Sequence, residues 1–152
     1  GMTTVSFTGT TSVTREDAQG VIDLALRNLR GVTRFVSGAA VGIDTFAAEA
    51  ALALFPDARH TLVVPAAPCN WVLAAEWLGR GGTEVVHAPQ GRSDAESYML
   101  RNDELVAQAD LLLAFPETQV EQLRSGTWAT VRRARKAGVP VQIFPLQCRA
   151  EV

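Results

Sequence analysis

Ser37-Gly38-Ala39-Ala40-Val41-Gly42-Ile43-Asp44 lies between a short apolar run and an alanine-rich stretch, and its small residues bring bare backbone amides to the mouth of the helix that should follow. Such a turn suits a phosphate, because the first amides of a helix lack intrahelical partners and carry the positive end of its dipole. Thr8-Gly9-Thr10-Thr11-Ser12 and Ser125-Gly126-Thr127 have the same character. Taken singly, each also reads as ordinary strand-to-helix punctuation, in which glycine supplies an unusual dihedral and serine or threonine caps the helix. In a parallel sheet, however, all such turns open on one side, outside the carboxyl ends of the strands. Three together point to a nucleotide, with Gly9, Thr10, Ser37, Gly38, Gly42, Asp44, Ser125, Gly126 and Thr127 as the residues that would line its site.

Two further side chains join them. Arg101 carries a guanidinium that can fork onto a phosphate, with a surface ion pair to Glu104 or Glu96 as the plainer reading, and Asn102 offers both a donor and an acceptor to a base or ribose. Asp44 reads either as a carboxylate over a ribose hydroxyl or as the N-cap of its helix, the capping role being slightly favoured. Glu49 faces either the same cleft or solvent. Asp44 and Glu49 are the only candidates for acid or base chemistry, and no catalytic residue is required by the pattern. Trp71 and Trp128 suit stacking on a base, but packing at the core edge is the commoner use. The run Arg132, Arg133, Arg135 and Lys136 reads as a solvated face whose cations suit a helix C-terminus.

Several chemistries are excluded by what is missing. No G-x-x-x-x-G-K-[ST] occurs, the only lysine being Lys136, and neither G-x-G-x-x-G nor G-x-S-x-G is present. That removes a P-loop NTPase and a standard dinucleotide fingerprint. His60 and His87 sit in strand patterns and read as structural, and no His, Cys or carboxylate spacing suits a metal. No cofactor is required beyond the nucleotide ligand itself.

With 152 residues, 47% of them hydrophobic, the chain has the size and apolar content of one domain, taken as 2–152, with Gly1 before Met2 read as an expression scar. Cys69 and Cys148 form no CxxC and are too few for a disulfide framework, which fits a reducing cytoplasm. No stretch reaches the ~18 apolar residues of a membrane span, so no membrane partner is expected. The net charge of −2 provides no overall positive field, which weighs against a nucleic acid partner.

The elements that must position these groups alternate. Strands are expected at 5–7, 34–36, 60–64, 83–87, 110–115 and 141–144. Helices are expected after a Thr14-x-x-Asp17 capping box, from Ile43 to Phe55, after a Ser93-x-x-Glu96 box to about Gln108, and from Gly126 to Lys136. A short helix is expected at 70–78, its apolar Leu73, Ala74, Trp77 and Leu78 offering a face for a second copy. The unbroken apolar run 111–115 is what a strand covered on both faces requires. The pattern predicts an α/β, Rossmann-like, doubly wound domain with a mostly parallel sheet of about six strands flanked by helices.

The segment from Ser37 to Thr45, followed by Ala47, Ala51 and Leu52, resembles the S-G-x-A-x-G-I-D-T-x-A signature of the DNA-processing protein A (DprA/Smf) family. Arg101-Asn102, the run 109–114, Ser125-Gly126-Thr127 and the run 137–141 resemble patterns shared by that family and the lysine-decarboxylase-like LOG phosphoribohydrolases. This places the chain with the SLOG superfamily of Rossmann-like nucleotide binders. DprA proteins usually have arginine and histidine where this chain has Val41 and Ala48, and the LOG glutamate that assists N-glycosidic cleavage falls on Thr130, which holds no charge. The resemblance implies a small-molecule nucleotide bound by a sensor or binding module, with a homodimer as the common assembly of related proteins. The alternatives it implies are LOG-like hydrolysis of a nucleoside 5′-monophosphate and DprA-like binding of single-stranded DNA.

Overall fold

The apolar runs of the sequence become six strands in a computed structural model that describes residues 3–69, 71 and 73–146. They are Thr3–Gly9 (β1), Val32–Gly38 (β2), Arg59–Val64 (β3), Glu84–His87 (β4), Leu111–Phe115 (β5) and Val141–Ile143 (β6). All pair in parallel, in the order β4-β3-β2-β1-β5-β6, so the sheet is wholly rather than mostly parallel. Four helices, Arg15–Arg27 (α1), Ile43–Leu54 (α2), Asp94–Gln108 (α3) and Gly126–Lys136 (α4), complete one α/β domain.

Alternation along each strand divides the core between the two faces. Val5, Phe7, Phe35, Leu113 and Phe115 pack with Ile22, Leu26, Ile43 and Ala47 of α1 and α2. On the other face, Leu112, Ala114 and Val36 meet Trp128 and Val131 of α4 and Leu105 of α3. Both capping signals act as expected, since Thr14 Oγ1 accepts from the Asp17 amide and Ser93 Oγ from the Glu96 amide. Side-chain capping of this kind contributes about 1 kcal/mol per helix end.

The expected helix at 70–78 is instead two single 3-10 turns, Ala74–Glu76 and Leu78–Arg80. Asn70 lies outside the described residues, as do Gly1, Met2 and Cys148. Trp77 is drawn inward, its indole N–H donating to the Glu84 carbonyl at 3.0 Å, and Gly82 packs so closely on it that a Cβ there would lie 2.5 Å from the ring. Leu73 and Trp77 are consequently buried in the chain's own core, and only Leu78 of the proposed dimer face stays well exposed. No helix among the described residues is long and apolar enough to cross a membrane.

Close approach of β1 to α2 sets the geometry at the carboxyl ends of the strands. A Cβ on Gly9 would lie 2.4 Å from the Ile43 side chain. Gly42, at φ 80, precedes α2, and a Cβ there would lie 2.6 Å from the Thr10 carbonyl oxygen. Contacts this short with backbone force a shift, and a positive φ adds strain for any side chain. Gly42→Ala is therefore expected to cost about 2 kcal/mol or more, lowering Tm by about 5 °C or more. Gly20→Ala, in the interior of α1 with nothing within 4 Å of the added atom, is expected to hold or raise Tm in the same melting experiment.

Candidate functional site

Strand order reverses direction between β1 and β5, and the connections on either side of that seam leave to opposite faces of the sheet. A crevice must open there, outside the carboxyl ends of the strands. The structure has one of about 310 Å³, lined by the turn after β1 (Thr8 to Ser12), by Ala40 and Asp44, by Arg101, Asn102 and Leu105 of α3, and by Glu117, Gln122 and Ser125 to Thr127 leading into α4.

Two walls of the cleft are built from backbone and hydroxyl groups. At α4, Ser125 Oγ accepts the Trp128 amide at 3.3 Å and Ser125 O accepts the Ala129 amide, leaving the Gly126 and Thr127 amides at the head of the helix without intrahelical partners. On the opposite wall, Thr10 Oγ1 accepts the Ser12 amide at 3.0 Å. A hydroxyl that accepts from a backbone amide keeps its own proton for another group, so Ser125 and Thr10 can both donate into the cleft. This is an arrangement suited to phosphate oxygens.

The floor is a charge pair. Asp44 comes from α2 on one face and Arg101 from α3 on the other, and they approach over Gly38, Arg101 Nη1 lying 4.0 Å from Asp44 Oδ2. A Cβ on Gly38 would lie 2.6 Å from that oxygen and 2.9 Å from that nitrogen, so only glycine lets the two meet. Arg101 is 9% exposed, its Nε donates to Asn102 Oδ1 at 2.9 Å, and Nη1 has no hydrogen-bond partner among the described residues. Asp44 is likewise buried. Burial pushes its carboxyl up to about 6, against the opposing pull of Arg101 and of the Ala40 amide, which donates to it.

The residues singled out from sequence divide into three groups. Gly9, Thr10, Asp44, Arg101, Asn102, Ser125, Gly126 and Thr127 surround this one cleft. Ser37, Gly38 and Gly42 do not line it. Ser37 is buried with its hydroxyl unpartnered among the described residues, while Gly38 and Gly42 admit neighbouring groups. The Ile43 amide, one of those the sequence offers to an anion, donates to Thr10 O at 3.1 Å, so the turn after β1 takes the first amide of α2. Asp44 does not cap α2, whose N-cap is Gly42 with no side-chain hydrogen bond.

Glu49 lies elsewhere, bridged to Arg15 and Arg80. Five residues after Asp44, it points about 140° around the helix from it, toward the outer groove between α1 and α2. Thr130 is buried and turns its hydroxyl to Gly126 O at 2.9 Å, presenting nothing to the cleft. Trp128 is a core residue, Trp71 is half-buried against the Trp77 cluster, and His60 is buried with its Nε2 against Phe55 O, its charged form disfavoured by burial. In the basic run, Arg132 pairs with Glu121 and Arg133 with Asp103. Glu117 and Gln122 were not anticipated. The only available signal was that they follow β5, a strand end that opens on the same side as β1.

The raised carboxyl has a measurable consequence. With Asp44 near 6 in the fold and 3.8 as its ordinary value, the folded protein holds this proton more tightly than the unfolded chain does. The resulting stabilisation is full below pH 3.8 and is lost as pH rises through about 6. Wild type is thus expected to lose about 2–3 kcal/mol relative to Asp44→Asn between pH 4 and 7.5. Denaturant unfolding of both proteins at each pH checks this, and parallel pH profiles would refute it.

No protein-family model and no curated protein matches the chain. Solved structures that share its fold include DNA processing protein A (DprA) from Streptococcus pneumoniae, at TM-score 0.66, and DNA processing protein A from Helicobacter pylori, at TM-score 0.65. Each is 22% identical over 93% of this chain, which spans 50% of the first and 64% of the second. The H. pylori structure is described as showing a single-stranded DNA binding mode. The expectation against a nucleic acid partner is corrected by that neighbour: a net charge of −2 sums the whole surface and does not exclude such a partner for this architecture. The chain has the Rossmann-like fold of the DprA structures.

Proposed function

We propose that the β1/β5 cleft binds a nucleotide unit of single-stranded DNA, holding its phosphate between Arg101 and the open head of α4. The observation that carries this reading is the convergence of a buried guanidinium with an uncommitted N–H, two helix-head amides and two hydroxyls free to donate, all on one crevice at the reversal of strand order. The likeness to DprA structures supports a single strand as the source of that phosphate. Recognition that rests on one enclosed site and few phosphates does not require a strongly basic surface, and it predicts a shallow salt dependence.

A second reading, a free nucleotide in a sensor or binding module, is favoured by the size of the cleft, which at about 310 Å³ falls at the small end of small-molecule pockets. Hydrolysis is a weaker reading. Thr130 supplies no acid, and Asp44, the one carboxylate on the floor, is engaged with Arg101 and the Ala40 amide.

Fluorescence anisotropy with a labelled oligothymidylate, competed with AMP, tests both binding readings. Oligothymidylate is expected to bind, with log Kd changing by about 1–2 units per decade of salt. Arg101→Gln is expected to weaken it about tenfold or more, by analogy with loss of a charge-assisted contact. Competition by AMP at lower concentration than the oligonucleotide would favour the free-nucleotide reading. If neither ligand binds, a phosphate site here is refuted, and release of adenine from AMP would establish the hydrolytic alternative.

A further inference from the structure

We propose that Asp44 is a positioning residue that occupies Arg101 in place of the ligand: when a phosphate takes the free N–H of Arg101, Asp44 is left facing a second negative charge and takes up one proton from solvent. This rests on the cleft being a phosphate site. It goes further in stating that the site binds anion and proton together.

The geometry has three parts. Asp44 Oδ2 and Arg101 Nη1 are 4.0 Å apart, close enough for a strong Coulomb attraction and too far for a hydrogen bond, so the attraction holds Arg101 without satisfying its N–H. Both side chains line the cleft that would hold the phosphate. Gly38 beneath them leaves no room for the pair to sink away from that ligand, since even a Cβ would touch both.

Neutralisation falls on the carboxylate. A guanidinium keeps its proton at any ordinary pH, so when a phosphate joins the pair the only member able to change charge is Asp44. Its carboxyl already stands at about 6 through burial. The other ionisable groups facing this floor are few. Glu117, from the segment after β5, lines the cleft and adds negative charge, while Cys69, from the segment after β3, feels the field of Arg101. Glu49 of α2 points away toward Arg15 and Arg80, and Asp103 and Glu104 of α3 are engaged with Arg133 and Gln108. The turns after β1 and β2 and the first turn of α4 contribute no charge to the cleft.

Affinity should therefore fall as pH rises through and above the titration of Asp44, by at most tenfold per pH unit because one proton is involved. The probes must not titrate themselves, so we would use an oligothymidylate without a terminal phosphate and, as the free-nucleotide arm, the methyl ester of AMP. Wild type is expected to bind on the order of tenfold more weakly at pH 7.5 than at pH 6, and Asp44→Asn to show no such slope while binding at pH 7.5 at least as tightly as wild type. Calorimetry of wild type in two buffers of different ionisation heat should show uptake approaching one proton at pH 7, a readout that needs no variant and stands if Asp44→Asn does not fold. Cys69→Ser is expected to keep the slope.

Binding that is flat with pH and releases or takes up no proton overturns the inference while leaving the phosphate site intact. So does a slope that survives in Asp44→Asn or vanishes in Cys69→Ser. If neither probe binds at any pH, the phosphate site falls and this inference with it. Whichever probe shows the slope identifies whether strand or free nucleotide supplies the phosphate.

Discussion

The reversal of strand order between β1 and β5 is the constraint on which everything else in this protein depends. Connections on one side of the seam place α1 and α2 on one face, and those on the other place α3 and α4 on the opposite face. The two layers meet over the carboxyl ends of the strands. Asp44 and Arg101 meet there because they lie on helices from opposite faces, and Gly38 at the end of β2 is the residue narrow enough to let them pass.

A charge pair in that position is electrostatically unequal. Arginine cannot shed its proton, whereas a buried carboxylate can regain one at mild pH, so the two partners respond differently to the same desolvation. At 4.0 Å without a hydrogen bond, the pair leaves the N–H groups of Arg101 Nη1 unanswered among the described residues. A buried donor without an acceptor costs about 1–3 kcal/mol, more for a charged group, and such a cost is tolerated where an incoming ligand can remove it. The same incompleteness that weakens the fold locally is what makes the floor receptive to an anion.

Small residues serve a different purpose here from the one their sequence first suggests. The glycines of the 37–44 segment do not line the cleft. Gly42 lets the turn after β1 press onto the head of α2, and the Thr10 carbonyl then takes the Ile43 amide that an anion would otherwise use. The helix head that lines the cleft is that of α4, where Ser125 caps by its side chain and leaves two amides forward. Two turns of similar composition thus differ in which of their amides stay available, and the difference lies in which neighbour reaches each one first.

Much of the fold was legible because its causes are local. Apolar runs such as Leu111–Phe115, the capping serine and threonine at Ser93 and Thr14, and the alternation of helical and extended patterns are properties of neighbouring residues, and they determine elements, their order and the doubly wound class. Asp44, Arg101 and Ser125 to Thr127 could be marked as polar groups near strand ends on the same grounds. Tertiary structure alone decided that Asp44 faces Arg101 instead of capping its helix, that Glu49 turns to Arg15 and Arg80, and that Glu117 and Gln122 join the cleft. Those outcomes depend on contacts between segments far apart in the chain, where shape and charge of both partners count, and one segment's sequence contains only half of that information.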